Sequence, residues 1–401
     1  MYTINNIENA IYISFSNVPT EKVEQIQPMF HELLKTHIST KAIDIERFRL
    51  LIKREKLKRA SDAETSPHYT YAMPALADHI YGKLDGSQLE NSMPLPAHLE
   101  VLESYTAEDW AGLIQTYLVD APFVCVRGVP SPRLAKELVE TEKERIRVQR
   151  ETLGEAKLKD LEAQLEQANA NNNVDVPKAI LETIQVPSIG SIALIPVESS
   201  RGDSGLVAER IQQDLKAHTV GLSLQFDHVA STFVELRLLV DTSHLSIEQR
   251  LWLNVYMDAF FETAGERDGK VIPYEEVVKQ LDIDTVEHYS VSGVNNNFVH
   301  YACFSIKVET AKYDEGVRWL HDLLYHSHFT ADRLQTAASK ILQDLPSQKR
   351  EGAQMASAAL KVLAFQKDSS NHVVMSPIVQ QPFLTSILKR YVPKKEIQKI
   401  F

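Results

Sequence analysis

Between Arg133 and Ala170 the chain is built almost entirely of Glu, Lys, Leu, Gln, Ala and Arg, and that stretch limits what can lie on either side of it. These residues are strong helix formers, and Leu134, Leu138, Ile146, Leu158, Leu161 and Leu165 run through them as a sparse apolar stripe. Gly154 interrupts the stripe, so the pattern predicts two antiparallel helices rather than one rod. Asn169 to Asn173 supply a loop. Pro177 and the segment Val186-Pro187-Ser188-Ile189-Gly190 read as an extended linker, because proline disfavours helix at the residue before it. A chain of 401 residues can hold two or three packed domains. The helical segment therefore divides it into residues 1–128, 129–189 and 190–401.

The first segment opens on an apolar run, Ala10 to Ser16, that reads as a strand stopped by Asn17-Val-Pro19. A helix follows, with Thr20 and Glu21 as cap and Val23, Ile26, Met29, Phe30, Leu33 and Leu34 at helical spacing. Further helices are predicted over 43–60, 74–84 and 107–119, the last capped by Thr106 with Asp109 three residues on. Pro122 to Arg127 returns to strand pattern. Tyr69, Tyr71, Tyr81, Trp110, Tyr117 and Phe123 read as core. The third segment begins with strands His218–Phe226 and Thr232–Val240, read as a pair across the turn-like Asp227–Ser231. Helices over 246–264 and 273–281, strands over 288–293 and 298–309, and helices over 312–326, 330–344, 351–366 and 382–390 complete it. Runs of strands with segregated helices predict an α+β class with two α/β units.

A net charge of −11 and a pI near 5.7 give no general attraction to nucleic acid or to an anionic membrane, so neither is an expected partner. The one dense basic run, Arg47 to Arg59, reads as a solvated helix face. No stretch approaches the apolar length of a membrane span, and the opening MYTINNIENA has no leader pattern. Cys125 and Cys303 each sit in an apolar strand-like run and read as two buried thiols in a reducing compartment.

A catalytic zinc needs two histidines one helical turn apart, a carboxylate general base and a third ligand. Neither H-E-x-x-H nor H-x-x-E-H occurs. The nearest imitations are His31-Glu32 with His37, Glu287-His288 with Asp284 where a first histidine would stand, and His321 with His326 and His328. Five residues apart on a helix, His321 and His326 do not share a face, so they read as surface or half-buried histidines near a helix C-terminus. No nucleophile elbow and no phosphate loop is present, and Arg201-Gly202-Asp203 reads as a loop. No catalytic residue, metal ligand or cofactor is expected in this chain.

The segment from Val126 to Ile189 resembles the linker of presequence-protease-type members of the pitrilysin family of inverzincin zinc metallopeptidases. It has a strand entering a Gly-x-Pro-Ser turn, Gly128-Val-Pro130-Ser131, then a long charged helix reaching Leu153-Gly154. Leu158, Leu161, Leu165 and Ala168, an asparagine-rich turn, Pro177, Leu181 and the exit Val186-Pro187-x-Ile189 follow in order. Ile13 to Pro19 and Phe233 to Leu245 are similar to strands of that family's second and third units. The resemblance implies four related α/β roll units forming two bowls that close on an unfolded peptide. This chain would hold part of the second unit and the third, and the zinc would belong to the first unit of a parent enzyme. Gly128, Pro130, Ser131, Gly154, Pro177 and Pro187 are then the hinge and linker positions. The implied partners are the remaining domains of the parent and unstructured peptides as substrate, in the cytoplasm or, alternatively, the mitochondrial matrix. A catalytically inactive scaffold or partner subunit of the same fold is the other reading. The family's distal arginine and tyrosine cannot be transferred to Arg390-Tyr391.

Overall fold

The computed structural model describes residues 11–16, 18–40, 43–93, 96–183, 188, 190, 195–201, 223–295, 297–365 and 371–390. The chain is α+β: among the described residues helices dominate and three small antiparallel sheets accompany them. It groups into two compact units, one of residues 1–17, 33–121 and 231–401, the other of 18–32 and 122–230.

The first unit is organised by a three-stranded antiparallel sheet. Strand β3 (Phe233–Asp241) and strand β6 (Glu287–Val294) flank the long β7 (Asn297–Glu309), with Phe233 opposite Glu309 and Glu287 opposite Lys307. Alternation puts Val234, Leu236, Leu238 and Val240 of β3 on the face that carries Ala302, Phe304, Ile306 and Val308 of β7. That face is covered by Leu253 and Met257 of the Ile247–Ala259 helix, Val277 and Leu281 of the Tyr274–Asp284 helix, and Trp319 and Leu323 of the Tyr313–Tyr325 helix. Each fully buried side chain of this kind contributes about 1.5–3 kcal/mol relative to exposure. Helix and sheet come very close at Gly316, where an added Cβ would lie 3.0 Å from Leu236 Cδ1.

The Ile247–Ala259 helix serves a second core with its opposite face. Trp252, Val255 and Ala259 pack there against Leu334, Ala337, Ala338 and Leu345 of the Ala331–Arg350 helix and Leu384 and Ile387 of the Pro377–Arg390 helix. Ser246 starts the shared helix with a capping box, its hydroxyl accepting from Gln249 N and the Gln249 side chain accepting from Ser246 N.

The same unit includes the Ile45–Thr65 helix, and there the basic run departs from a purely solvated face. Arg49 and Lys58 pair within the helix, with Glu46 and Asp62, but Arg54 reaches Asp282 at 2.9 Å and Lys56 reaches Glu103 at 2.5 Å. Farther along, Ser61 Oγ accepts from Lys307 Nζ and the Glu64 carboxylate accepts from the Ser231 and Thr232 hydroxyls. Charge and hydroxyl contacts tie this helix to the sheet.

In the second unit, β1 (Glu198–Arg201) pairs antiparallel with β2 (Gln225–His228), Glu198 facing His228. The Pro132–Asn172 helix is interrupted at Gly154, whose φ of 66° and ψ of 168° lie outside helical space. Near the chain entry, Arg127 pairs with Glu24 and the His31 and Phe123 rings lie 4.6 Å apart.

Several sequence expectations are corrected. Residues 122–131 form no ladder and Val124 and Val126 are 90% exposed, so the expected strand is an extended segment. Cys125 is accordingly exposed, while Cys303 is buried in β7. Residues 12–16 are irregular and exposed. Tyr69, Tyr71, Tyr81, Tyr117 and Phe123 are exposed rather than core, and only Trp110 is partly enclosed, against Phe48 and Tyr105. The strands on either side of Asp227–Ser231 do not pair with each other: β2 joins β1, and β3 joins β7, whose Phe304, Ile306 and Val308 complete its apolar face. Residues 218–222 of the expected strand, and Gly202-Asp203, lie outside the described residues. A hairpin went unpredicted, β4 (Ala264–Arg267) with β5 (Lys270–Ile272), and β8 (Ser327–His328) pairs on its other side.

Candidate functional site

The hinge positions fall in the second unit. Gly128 and Pro130 lie in the exposed extended segment, and Ser131 caps the long helix, its Oγ accepting from Leu134 N at 3.2 Å with Pro132 in the first turn. Gly154 is 23 residues beyond Ser131, about 35 Å along a helix rising 1.5 Å per residue, so the two positions are well separated. Pro177 precedes the short Lys178–Leu181 helix, and Pro187 lies outside the described residues.

Side chains that can do chemistry converge elsewhere, in the first unit, where the Tyr313–Tyr325 helix ends. His326 caps it with φ −126° and ψ 19°, its N–H donating to Asp322 O at 2.8 Å. Leaving the helical path at this residue brings the His326 ring to 5.3 Å from that of His321. The five-residue spacing was expected to keep them apart, but that expectation holds only for residues inside a continuous helix.

Facing them is the β4–β5 hairpin, fixed to the helix end by Glu266 N, which donates to His326 O at 2.9 Å. Its turn residues Asp268 and Gly269 both have positive φ, 52° and 72°, the conformation that a two-residue hairpin of the I′ type requires and that Asp-Gly favours. Arg267 projects from the hairpin to Asp322, with Nε 2.6 Å from Oδ2, and its guanidinium lies 4.2 Å from the centroid of the Trp319 ring. The other oxygen of Asp322 lies 3.3 Å from His321 Nδ1 and accepts from it in the tautomer protonated there. Glu266 Oε2 stands 3.3 Å from His328 Nε2.

Together Glu266, Arg267, Asp268, Gly269, Arg318, His321, Asp322 and His326 line a cleft of about 420 Å³. One atom of Arg267 is out of balance. Arg267 Nη2 is buried with no hydrogen-bond partner, a condition that costs about 1–3 kcal/mol for a buried donor and more for a charged one. The lining combines two guanidinium groups, three carboxylates and two imidazoles. Among the described residues no three His, Cys, Asp or Glu side chains are grouped so as to hold a metal ion. The sequence signals for this cleft were the Asp268-Gly269 dipeptide and the three histidines. Nothing local linked them.

A second polar cluster lies on the sheet face opposite the core. Glu235 Oε1 accepts from Arg237 Nε at 2.7 Å, Ser305 Oγ at 3.1 Å and Tyr289 OH at 3.2 Å. Partial burial works against its ionisation, but the Arg237 hydrogen bond and charge, with the Ser305 and Tyr289 hydroxyls, hold the carboxyl below its ordinary value. On the other side of the sheet His288 packs 4.9 Å from Phe261, and burial pushes its pKa down.

Among the described residues no helix is long and apolar enough to cross a membrane. No family profile matches the chain. Along most of its length it is similar to three curated proteins. An uncharacterized protein of Caenorhabditis elegans is 26% identical over 386 residues, covering 96% of this chain and 38% of that protein. One of Schizosaccharomyces pombe is 25% identical over 366 residues, covering 87% and 35%. One of Saccharomyces cerevisiae is 23% identical over 363 residues, covering 87% and 34%. The chain spans little more than a third of the length of these relatives.

Proposed function

We propose that this chain is the non-catalytic middle of a zinc metalloendopeptidase of the pitrilysin type, presequence-protease-like, that degrades unstructured peptides in a closed chamber. The observation that carries the reading is the linker: a Gly-x-Pro-Ser turn whose serine caps a long charged helix, and a break in that helix at Gly154 of the Leu153-Gly154 pair. The length of the relatives is in keeping with a segment of a larger protein. In this reading the β3–β7–β6 sheet with its helical cover is the third roll unit, and Gly128, Pro130, Ser131, Gly154, Pro177 and Pro187 set the hinge between bowls.

Zinc would be held by the remaining part of the parent, as the resemblance of the linker implies. The partners are the rest of the parent chain and unstructured peptides, and the compartment is the cytoplasm.

The test is to purify the full-length parent protein and assay cleavage of an unfolded fluorogenic peptide with and without a chelator. Zinc-dependent cleavage that disappears when the glutamate of an H-x-x-E-H motif is changed to glutamine, with none by this chain alone, is the expected result. A parent without that motif, or one that binds but does not cleave, sinks the peptidase and leaves an inactive scaffold of the same fold.

A further inference from the structure

We propose that His288 is a proton-operated latch: taking up a proton at Nε2 weakens the Arg54–Asp282 contact and frees the middle of the Ile45–Thr65 helix from the Tyr274–Asp284 helix. The inference goes beyond the peptidase reading and does not depend on it, since every residue involved belongs to one compact unit.

The geometry fixes which nitrogen takes the proton. Thr285 Oγ1 donates its single proton to Leu281 O at 2.7 Å, so at its 3.0 Å contact with His288 Nδ1 it accepts. Nδ1 therefore carries the hydrogen of the neutral ring, and Nε2 keeps the lone pair. Thr285 is buried and Phe261 packs 4.9 Å from the ring, whereas His288 itself is half-buried, within reach of solvent.

The surroundings decide what the added charge does. Asp282 of the Tyr274–Asp284 helix and Glu262, just beyond the Ile247–Ala259 helix, favour the protonated ring, and Arg54 of the Ile45–Thr65 helix opposes it. Opposite His288 on β7 stands the apolar Ile306. Glu262 is held by Arg333 at 2.8 Å and Lys340 at 3.9 Å, while Asp282 is paired with Arg54 at 2.9 Å. Charging His288 sets a second cation beside that carboxylate, drawing Asp282 from Arg54 and repelling Arg54 itself.

Burial, ahead of these charges, holds the imidazole below its ordinary value of 6.5. With the folded value depressed, the contact is complete above pH 6.5 and is lost as pH falls below it. The far end of the Ile45–Thr65 helix stays attached, since Ser61 Oγ accepts from Lys307 and the Glu64 carboxylate accepts from the Ser231 and Thr232 hydroxyls. Burial works against the ionisation of Glu64, but those hydrogen bonds hold its carboxyl below the ordinary value, so it stays charged while His288 titrates. The movement is a swing about the Ser61–Glu64 end.

The experiment uses the 401-residue chain with Cys125→Ser, so that the exposed native thiol takes no label; Cys303 is buried. Spin labels at Lys53→Cys and Lys279→Cys, both exposed, report the separation of the two helices. The His288 imidazole resonance, assigned by its contact with the Phe261 ring, reports the midpoint. Between about pH 7.5 and about pH 5 the population at the longer label distance is expected to grow about two- to fivefold, the weight of one partly exposed ion pair. The midpoint is expected below 6.5. His288→Asn, whose amide still donates to Thr285 but cannot charge, should abolish the change, and Arg54→Gln should move the His288 midpoint upward because the repelling cation is gone. A label distance that ignores pH, one that changes equally in His288→Asn, or a midpoint at or above 6.5 overturns the inference. Should His288→Asn not fold, Arg54→Gln decides: an upward midpoint supports the latch and an unmoved one overturns it. Peptide cleavage enters neither readout, so failure here leaves the peptidase reading standing.

Discussion

Asp284 occupies the position where an inverted zinc motif would have its first histidine, and the fold uses it as an acceptor. Its Oδ2 accepts from the indole N–H of the buried Trp319 at 3.0 Å and its Oδ1 from Lys312 Nζ at 2.9 Å. Asp284→Ala would strand the buried indole N–H and leave Lys312 Nζ with Ile283 O as its acceptor, and a loss of about 1–3 kcal/mol in urea unfolding is expected; a loss below about 0.5 kcal/mol would mean that water replaces the carboxylate. Tyr256 lies among Phe260, Phe304 and Phe329, and burial pushes its phenol up to about 12. A folded value above the unfolded value of about 10 means that this contribution is complete below pH 10 and is lost as pH rises from 10 to 12. Alkaline unfolding of the native chain should therefore steepen in that window, and Tyr256→Phe should flatten it; equal slopes in both proteins would refute the assignment. Neither role could be read from the sequence, which identifies Asp284 and Tyr256 as residue types but not the partners that the fold brings to them. The same holds for Arg267, whose cleft partners lie some fifty residues away.

Among the elements, helices were the legible part because their signal is local. The predicted 312–326 and 273–281 helices stand as Tyr313–Tyr325 and Tyr274–Asp284, since both carry apolar residues at helical spacing. Strand positions were legible over 288–293 and 298–309, but strand partners were not, because pairing is decided by which distant face completes a core. Turn chemistry was legible as well: Asp268-Gly269 is the dipeptide of a tight hairpin, and that hairpin lies on the edge of the cleft. Two glycines make element-scale predictions. Gly293 sits with φ 73° where the β6–β7 register shifts, and a Cβ there would stand 2.1 Å from Asn297 O, so Gly293→Ala should cost more than about 1 kcal/mol in the same urea assay. Gly154 adopts φ 66° and ψ 168°, a region essentially reserved for glycine. Gly154→Ala should therefore favour an unbroken helix, and spin labels at Ser131 and Asn172 should then report a distance near 60 Å, as 1.5 Å per residue requires. An unchanged distance distribution would show that the break is held by something other than this residue.

At the scale of the whole chain, the composition that begins at Arg133 marks an element without a core of its own, in contrast to the elements of residues 233–390 that build both apolar cores. No residue of the 41-residue Pro132–Asn172 helix is fully buried, and Leu134, Leu138, Ile146 and Leu165 of its apolar stripe are exposed. What accompanies its backbone is a ladder of ion pairs three and four residues apart, among them Glu142–Arg145, Glu144–Arg147 and Arg147–Glu151. A left-to-right reading could not show that residues 33–121 and 231–390 share one unit, because the contacts that join them, Arg54–Asp282, Ser61–Lys307 and Glu64 with Ser231 and Thr232, are single polar side chains without a local pattern. This difference in support makes a prediction about the order of opening. Amides of the Ile45–Thr65 helix that lie near those contacts should exchange with solvent on the same scale as those of Asn297–Glu309, because one cooperative opening releases both. Amides of Pro132–Asn172 should exchange far faster, and raising the salt concentration should speed them further, since screening weakens exposed ion pairs and leaves buried apolar contacts untouched. Protection along Pro132–Asn172 equal to that of β7, or insensitive to salt, would mean that the stripe is covered in solution, and its exposure here would then be the wrong basis for reading the segment as a hinge.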